Sequence, residues 1–253
     1  MPKKIWTAWF QGWDDAPDIV KMNLTRWATL NPGWEVELLD LADAEELLAG
    51  TDVVIDALTP MALSDIVRLK LLTDLGGVWV DATLYPCWPL DAWLPQVLDE
   101  GFFLFKNGQQ PDAVPNWFLA SEPGHLISAR WWADTERLWS RPRRPLGFRE
   151  EWPDDVPWTP AEPDSDAGLV SYLWTMDLFH RRRRTDPEFA AVEARIPLVE
   201  EDLMWLMAGL IVSSQDTVEA LAEICAHTPV QKLGWRGTGW PVAALATLGI
   251  GTP

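Results

Sequence analysis

Cysteine, histidine and basic residues are scarce in this 253-residue sequence, and each scarcity narrows what the chain can do. Cys87 and Cys225 stand far apart and without metal-ligand spacing, so neither a disulfide framework nor a zinc site is suggested; a reducing cytoplasm is the natural setting. His125, His180 and His227 are too scattered to imply a metal cluster, and a structural role is the plainer reading of each. Lysine and arginine number 20 against 38 acids, a formal net charge of -18. A phosphate backbone is held by clustered Lys and Arg, so nucleic acid is not an expected partner, and any anionic substrate must meet a locally basic pocket. The one dense basic run, Arg181-Arg182-Arg183-Arg184, reads as a solvated helix end or as a peripheral contact with anionic lipid at the inner face of a membrane. The longest apolar run, 203–212, is about half of what a bilayer span requires, so no transmembrane segment is expected. Residues 1–5 run straight into a strand-like stretch and carry no secretory-leader pattern.

Tryptophan is in excess, with 18 residues. Indole faces stack on sugar rings and nucleobases, although most of these side chains are expected to fill the core. With 48% hydrophobic residues the chain suffices for one domain, read as 1–253.

The order of elements predicts an α/β fold with a mostly parallel central sheet flanked by helices and additional C-terminal helices. Residues 4–10 read as a strand, 17–30 as a helix with Val20, Leu24, Trp27 and Leu30 at helical spacing, and 35–39 as a second strand. Helices follow at 42–49 and 60–75, the latter ended by Gly76-Gly77, a terminator and a reversal into the strand 78–80. Asp81 therefore sits at the carboxyl end of a buried strand, where open α/β sheets place their ligands. Strands at 102–105 and 117–120 and a helix at 123–140 precede a Pro-rich loop over 141–165, after which helices resume at 166–183, 187–194 and 214–226.

Three features within twenty residues carry the chemistry: Ser64-Asp65-Ile66-Val67-Arg68, Gly76-Gly77, and Asp81-Ala82-Thr83. Asp65 and Arg68, at i and i+3, share a helix face; alone they equally describe a solvated ion pair. The literal Asp164-Ser165-Asp166 lies in the Pro-rich stretch, where nothing would hold its carboxylates in a pocket.

Together with Trp9-Phe10-Gln11-Gly12, Leu30-Asn31-Pro32-Gly33-Trp34, Gly76-Gly77-Val78-Trp79-Val80-Asp81-Ala82-Thr83, Asn116-Trp117-Phe118-Leu119-Ala120-Ser121 and Pro229-Val230-Gln231-Lys232-Leu233, these residues resemble the capsular polysaccharide synthesis glycosyltransferases. That family is close to glycosyltransferase family 32 and to the glucosylating domains of clostridial toxins. The resemblance implies a GT-A fold, a nucleotide diphosphate sugar donor, a glycan or small-molecule hydroxyl acceptor, and hexosyl transfer with retention in polysaccharide biosynthesis. It places Trp9 on the donor base and Ser64, Asp65 and Arg68 at the donor hexose. Trp79 and Asp81 come to the donor ribose or a Mn²⁺ or Mg²⁺ ion, and Asn116 near sugar and acceptor. Gln231 and Lys232 fall at the metal or phosphates, with Trp235 closing over the site. Thr83 stands where the family's second acid usually is, and a neutral hydroxyl is a poor substitute for a carboxylate as a ligand of hard cations. Two other classes stay open: a catalytically silent nucleotide-sugar-binding module, and a Trp-rich carbohydrate-binding scaffold.

Overall fold

The structure, a computed structural model, describes residues 1–56, 58–110, 114–147, 150–153, 159–234, 236 and 241–249. In chain order the elements are β1 (Lys4–Ala8), α1 (Asp18–Leu30), β2 (Glu35–Leu39), α2 (Leu41–Leu48), α3 (Pro60–Asp74), β3 (Gly77–Val80), β4 (Leu84–Pro86), α4 (Leu90–Trp93), β5 (Phe102–Leu104) and β6 (Phe118–Ser121). They continue as α5 (Leu126–Trp139), β7 (Arg144–Pro145), β8 (Leu169–Val170), α6 (Trp174–Thr185), α7 (Pro187–Glu193), α8 (Leu206–Val212), α9 (Val218–His227), β9 (Val230–Lys232) and α10 (Val242–Thr247).

The central sheet runs β2-β1-β3-β6-β5. β1 is parallel to both β2 and β3, whereas β6 is antiparallel to β3 and to β5. The α/β class, the flanking helices and the mostly parallel sheet match expectation, and of the five central strands β6 alone runs the other way. The reason is the connection: β5 and β6 are joined without a crossover helix, and only such a crossover returns a chain to run parallel. β3, β5 and β6 are buried along their whole length, while β2 lies half-exposed at the edge.

Most tryptophans belong to the core, with Trp27, Trp79, Trp131, Trp139 and Trp174 among the largest fully buried side chains. A second core, including Val20, Tyr85, Met207, Leu221 and Leu245, packs C-terminal elements onto α1 and β4. There Cys87 and Cys225, distant in sequence, meet as free thiols with sulfurs 3.2 Å apart.

Three expectations change. The Pro-rich stretch is not a free loop in its described parts: β7 pairs with β8, and buried Arg143 donates from Nη1 to the Ala167 carbonyl at 2.6 Å. Because β8 takes residues 169–170, α6 begins at Trp174 rather than 166. Half of the arginine run is not a free basic face. Arg182 Nε donates to Asp134 at 2.9 Å and Arg181 Nε to Glu162 at 2.6 Å, which spends both side chains on internal pairing. Asp164 and Asp166 lie exposed, paired with Arg137 and Arg141. Among the described residues no helix is long and apolar enough to cross a membrane.

Candidate functional site

The site is assembled by one helix, one reversal and one turn. Thr59 caps α3 by accepting from the Ala62 N–H, and Pro60 takes the first position, where a missing N–H costs nothing. At the other end Gly76 and Gly77 both have positive φ, 65° and 103°. A Cβ on Gly76 would lie 2.7 Å from the Ser121 carbonyl, and one on Gly77 2.9 Å from that of Lys4, so the reversal admits no side chain at either position. Trp6 Nε1 donates to the Gly76 carbonyl at 2.8 Å and locks the reversal to β1. β3 thus returns antiparallel to β6 and delivers Asp81, whose N–H donates to the Trp117 carbonyl at 2.9 Å. The following turn is held by buried Asn23 of α1, which donates to the Ala82 carbonyl at 3.1 Å, and by the Leu233 N–H, which donates to that of Thr83 at 3.1 Å.

Charges then interlock. Arg68, 4% exposed, lies with its guanidinium carbon 5.0 Å from the Trp79 ring centre. Its Nη2 is 3.0 Å from Asp65 Oδ1 and donates to Asp81 Oδ1 at 3.0 Å and to Ser64 Oγ at 3.2 Å, while Nη1 donates to the Asn116 carbonyl. The solvated-pair reading of Asp65 and Arg68 is therefore excluded. Asn116 Nδ2 donates to Asp65 Oδ1 at 3.0 Å and to Thr175 Oγ1 at 3.2 Å, and so positions the carboxylate. Trp79 Nε1 donates to Asp81 Oδ1 at 3.1 Å. Lys232 Nζ bridges Asp81 Oδ2 at 2.7 Å and Thr83 Oγ1 at 2.8 Å.

The two carboxylates are driven apart by their surroundings. Burial pushes Asp65 up to about 6, and the neighbouring Asp81 charge adds to it against the pull of Arg68. Burial also disfavours the Asp81 charge, yet Lys232 and Arg68 together hold its carboxyl below the ordinary range. Near neutral pH both are anions, matched by two cations in a protein whose overall charge is strongly negative.

This cluster lines a cavity of about 660 Å³ together with Trp9, Thr83 and Asn116, within the size range of ligand pockets. Of the residues expected from sequence, Trp9, Ser64, Asp65, Arg68, Trp79, Asp81, Thr83, Asn116 and Lys232 meet there. Gln231 does not: it is fully buried, accepts from the Met207 N–H at 2.9 Å and donates to the Leu203 carbonyl and Thr228 Oγ1, both at 2.9 Å. Successive residues of a strand face opposite ways, so with Lys232 at the cavity Gln231 is turned to the C-terminal core. Trp235 lies outside the described residues. The sequence reading missed Tyr172, Thr175, Trp205 and Arg236, all cavity-lining. Tyr172 has its phenol pKa raised by burial and then by the charges of Asp65 and Asp81, which line the same cavity. One of only two tyrosines in the chain, it carried no pattern to mark it.

Divalent-metal binding through Asp81 meets an unsuitable donor set. Asp81 Oδ1 already accepts from Arg68 and Trp79, Oδ2 accepts from Lys232, and Thr83 offers a hydroxyl that accepts from the same ammonium. Among the described residues no group of three or more His, Cys, Asp or Glu side chains is gathered to hold a metal ion. Mg²⁺ and Mn²⁺ favour several hard oxygen ligands, and as arranged these residues do not fit one.

Residues 1–143, more than half of the chain, match the family described as capsular polysaccharide synthesis protein. The O-glycosyltransferase braB of Annulohypoxylon truncatum is 26% identical over 169 residues, which cover 58% of this chain and 40% of that protein. Glycosyltransferase afumC of Aspergillus fumigatus is 25% identical over 158 residues, 54% of this chain and 40% of its own length. The matches thus span about two fifths of these curated relatives. Among solved structures the PaToxG glycosyltransferase aligns over 77% of this chain and 74% of its own, at 13% identity and a TM-score of 0.42.

Proposed function

We propose, because the chain belongs to the capsular polysaccharide synthesis protein family, that the cavity is the active site of a GT-A glycosyltransferase. It transfers a hexosyl unit from a nucleotide diphosphate sugar to a hydroxyl of a glycan or small-molecule acceptor in polysaccharide biosynthesis. The observation that carries this reading is the convergence of Asp65, Arg68, Asp81 and Lys232 on one wall of a ligand-sized cavity, with Trp9 in the same lining. The names of the relatives, glycosyltransferase and O-glycosyltransferase, support the same class.

In this reading the Trp9 indole stacks on the base, a sequence-tolerant contact. Asp65 accepts from sugar hydroxyls and Arg68, with its fixed fork of donors, holds others. Asp81 takes the ribose, and Lys232 meets the diphosphate. The bond from the anomeric carbon to the phosphate oxygen breaks as the acceptor oxygen bonds to that carbon on the same face, and the acceptor proton passes to the leaving diphosphate. Configuration is retained. Positive charge fixed at the leaving group stabilises the charge that develops there. On the acceptor side the lining turns apolar at Met61, Leu173, Met176 and Trp205, suited to the nonpolar face of a sugar or a flat aglycone.

The test is donor hydrolysis and transfer by the purified chain across a panel of nucleotide diphosphate sugars, followed by mass spectrometry. Turnover that is lost in Asp81→Ala and Arg68→Ala supports the assignment. Unchanged rates in both variants would remove the site, and nucleotide binding without turnover of any donor would make the chain a silent binding module.

A further inference from the structure

Lys232 lies beyond the residues that match the family, on a strand that returns to the site from the far end of the chain. We infer that its ammonium is a built-in replacement for the divalent cation, so that this site binds a nucleoside diphosphate without metal. The inference rests on the donor reading above and concerns how that donor is held.

Position is the first argument. The ammonium nitrogen is 2.7 Å from Asp81 Oδ2 and 2.8 Å from Thr83 Oγ1, bridging the first and third residues of the Asp-Ala-Thr turn. A cation gripped by an acid at each of those two positions would lie in the same gap. The residue types agree with this occupant. A single carboxylate balances a single ammonium, and a neutral hydroxyl at Thr83 completes its contacts, whereas a second acid there would leave an unmatched negative charge in a site that must accept a diphosphate. Of the other two carboxylates lining the cavity, Asp65 is paired with Arg68 at 3.0 Å, and Glu201 accepts from Asn107 Nδ2 at 3.3 Å. A divalent ion entering this gap would displace the ammonium and then be repelled by it and by Arg68.

The second argument is rigidity. β9 pairs with β4 in a register that sets Lys232 opposite Leu84, one residue after Thr83, and the Leu233 N–H closes on the Thr83 carbonyl at 3.1 Å. Gln231, turned the other way, fastens the same strand to the Leu203 carbonyl and the Met207 N–H. The lysine side chain is 13% exposed. Its charge is therefore delivered by the fold and does not depend on a dissolved ion. An ammonium has three N–H donors, of which Asp81 and Thr83 take two, leaving one for a phosphate oxygen on the cavity side. Arg236 lines the same cavity.

Calorimetric titration of the purified chain with the uridine, guanosine, adenosine and cytidine diphosphates, each in excess EDTA and again in Mn²⁺, tests the inference without requiring turnover. At least one nucleotide should bind in EDTA with a Kd within about threefold of its value in Mn²⁺, a difference below one decade of affinity. Lys232→Ala should weaken that binding by about 30-fold or more, since it removes one partner of a buried charge pair, and Lys232→Arg should recover most of it. Binding by the wild type that appears only with Mn²⁺ would overturn the inference while leaving the donor reading intact. Nucleotide binding that is equally tight in Lys232→Ala and wild type would overturn it too. No binding of any nucleotide in either condition would sink the donor reading, and the inference with it.

Discussion

Two buried arginine–aspartate clusters in this molecule use the same chemistry to different ends. In the first, Arg68 joins Asp65 and Asp81 at 3.0 Å each, and the Asp81 side chain keeps 25% of its surface open toward the cavity. In the second, Arg182 and Arg181 converge on Asp134, which has no exposed surface and ties α6 to α5. Both sets of charges are paired, as burial demands. Only the first leaves acceptor and donor capacity facing empty space. The Asp134 cluster reads as scaffold, and the Asp65–Arg68–Asp81 cluster as a place where ligand groups complete what the protein leaves open.

Breaking each cluster should separate the roles. Asp134→Ala removes the buried carboxylate shared by two arginines, leaving Arg181 with Glu162 and Arg182 with Asp186, and should cost about 3 kcal/mol, lowering Tm by about 10 °C in scanning calorimetry for a chain of this size, with donor affinity unchanged in the fraction that stays folded. Arg68→Ala should lower donor kcat/KM by about 100- to 1000-fold, because Asp65 and Asp81 lose their common counter-charge at the point of contact with substrate. If Asp134→Ala cut donor affinity as deeply as Arg68→Ala does, the division between scaffold and site would fail.

The raised Asp65 pKa sharpens the contrast further. The Asp65 carboxylate, which we propose accepts sugar hydroxyls, is ionised above about pH 6 and protonated below it, so donor kcat/KM should fall up to about tenfold per pH unit on acidification through 6. Asp81, held below its ordinary value, stays ionised across that window. Asp65→Asn should abolish the inflection in the pH–rate profile. The stability effect has the opposite sense: the folded state binds this proton more tightly than the unfolded chain does. Asp65 therefore withdraws about 3 kcal/mol as pH rises from about 4 to 6, and an equilibrium unfolding series over that range should lack this loss in Asp65→Asn. The smallest effect is expected at the apolar edge. Trp205→Ala removes a 42% exposed indole from the cavity lining and should raise acceptor KM a few-fold, on the order of 1 kcal/mol, with nucleotide Kd unmoved.

Much of this arrangement is legible in short stretches of sequence. The helical spacing before Leu30, the helix start at Pro60 and the Gly76-Gly77 reversal each act through neighbours within a few residues, and the structure carries each of them. Asp81 follows from the same local logic, since a strand that must start at the reversal must also end near it. Gln231 shows where such logic stops. It sits beside Lys232 in one short motif, yet one side chain enters the cavity and the other the core, because strand pairing sets the face and a shift of one residue exchanges them. Tyr172, Thr175 and Trp205 reach the cavity from the C-terminal half, with no periodicity to announce it.

Consecutive residues specify the local devices: which of them form α3 and β3, where the chain must reverse, and that an acid stands at the end of a buried strand. These depend on backbone conformation and on apolar spacing, both written in consecutive residues. The charge balance of the site arises from long-range packing. Lys232 meets Asp81 across 151 positions of chain through the pairing of β4 with β9, and Arg68 escapes the solvent because α3 packs its face beneath Asn116 and Trp79. Electrostatic character depends on distance and burial, and both come into being when remote segments pack.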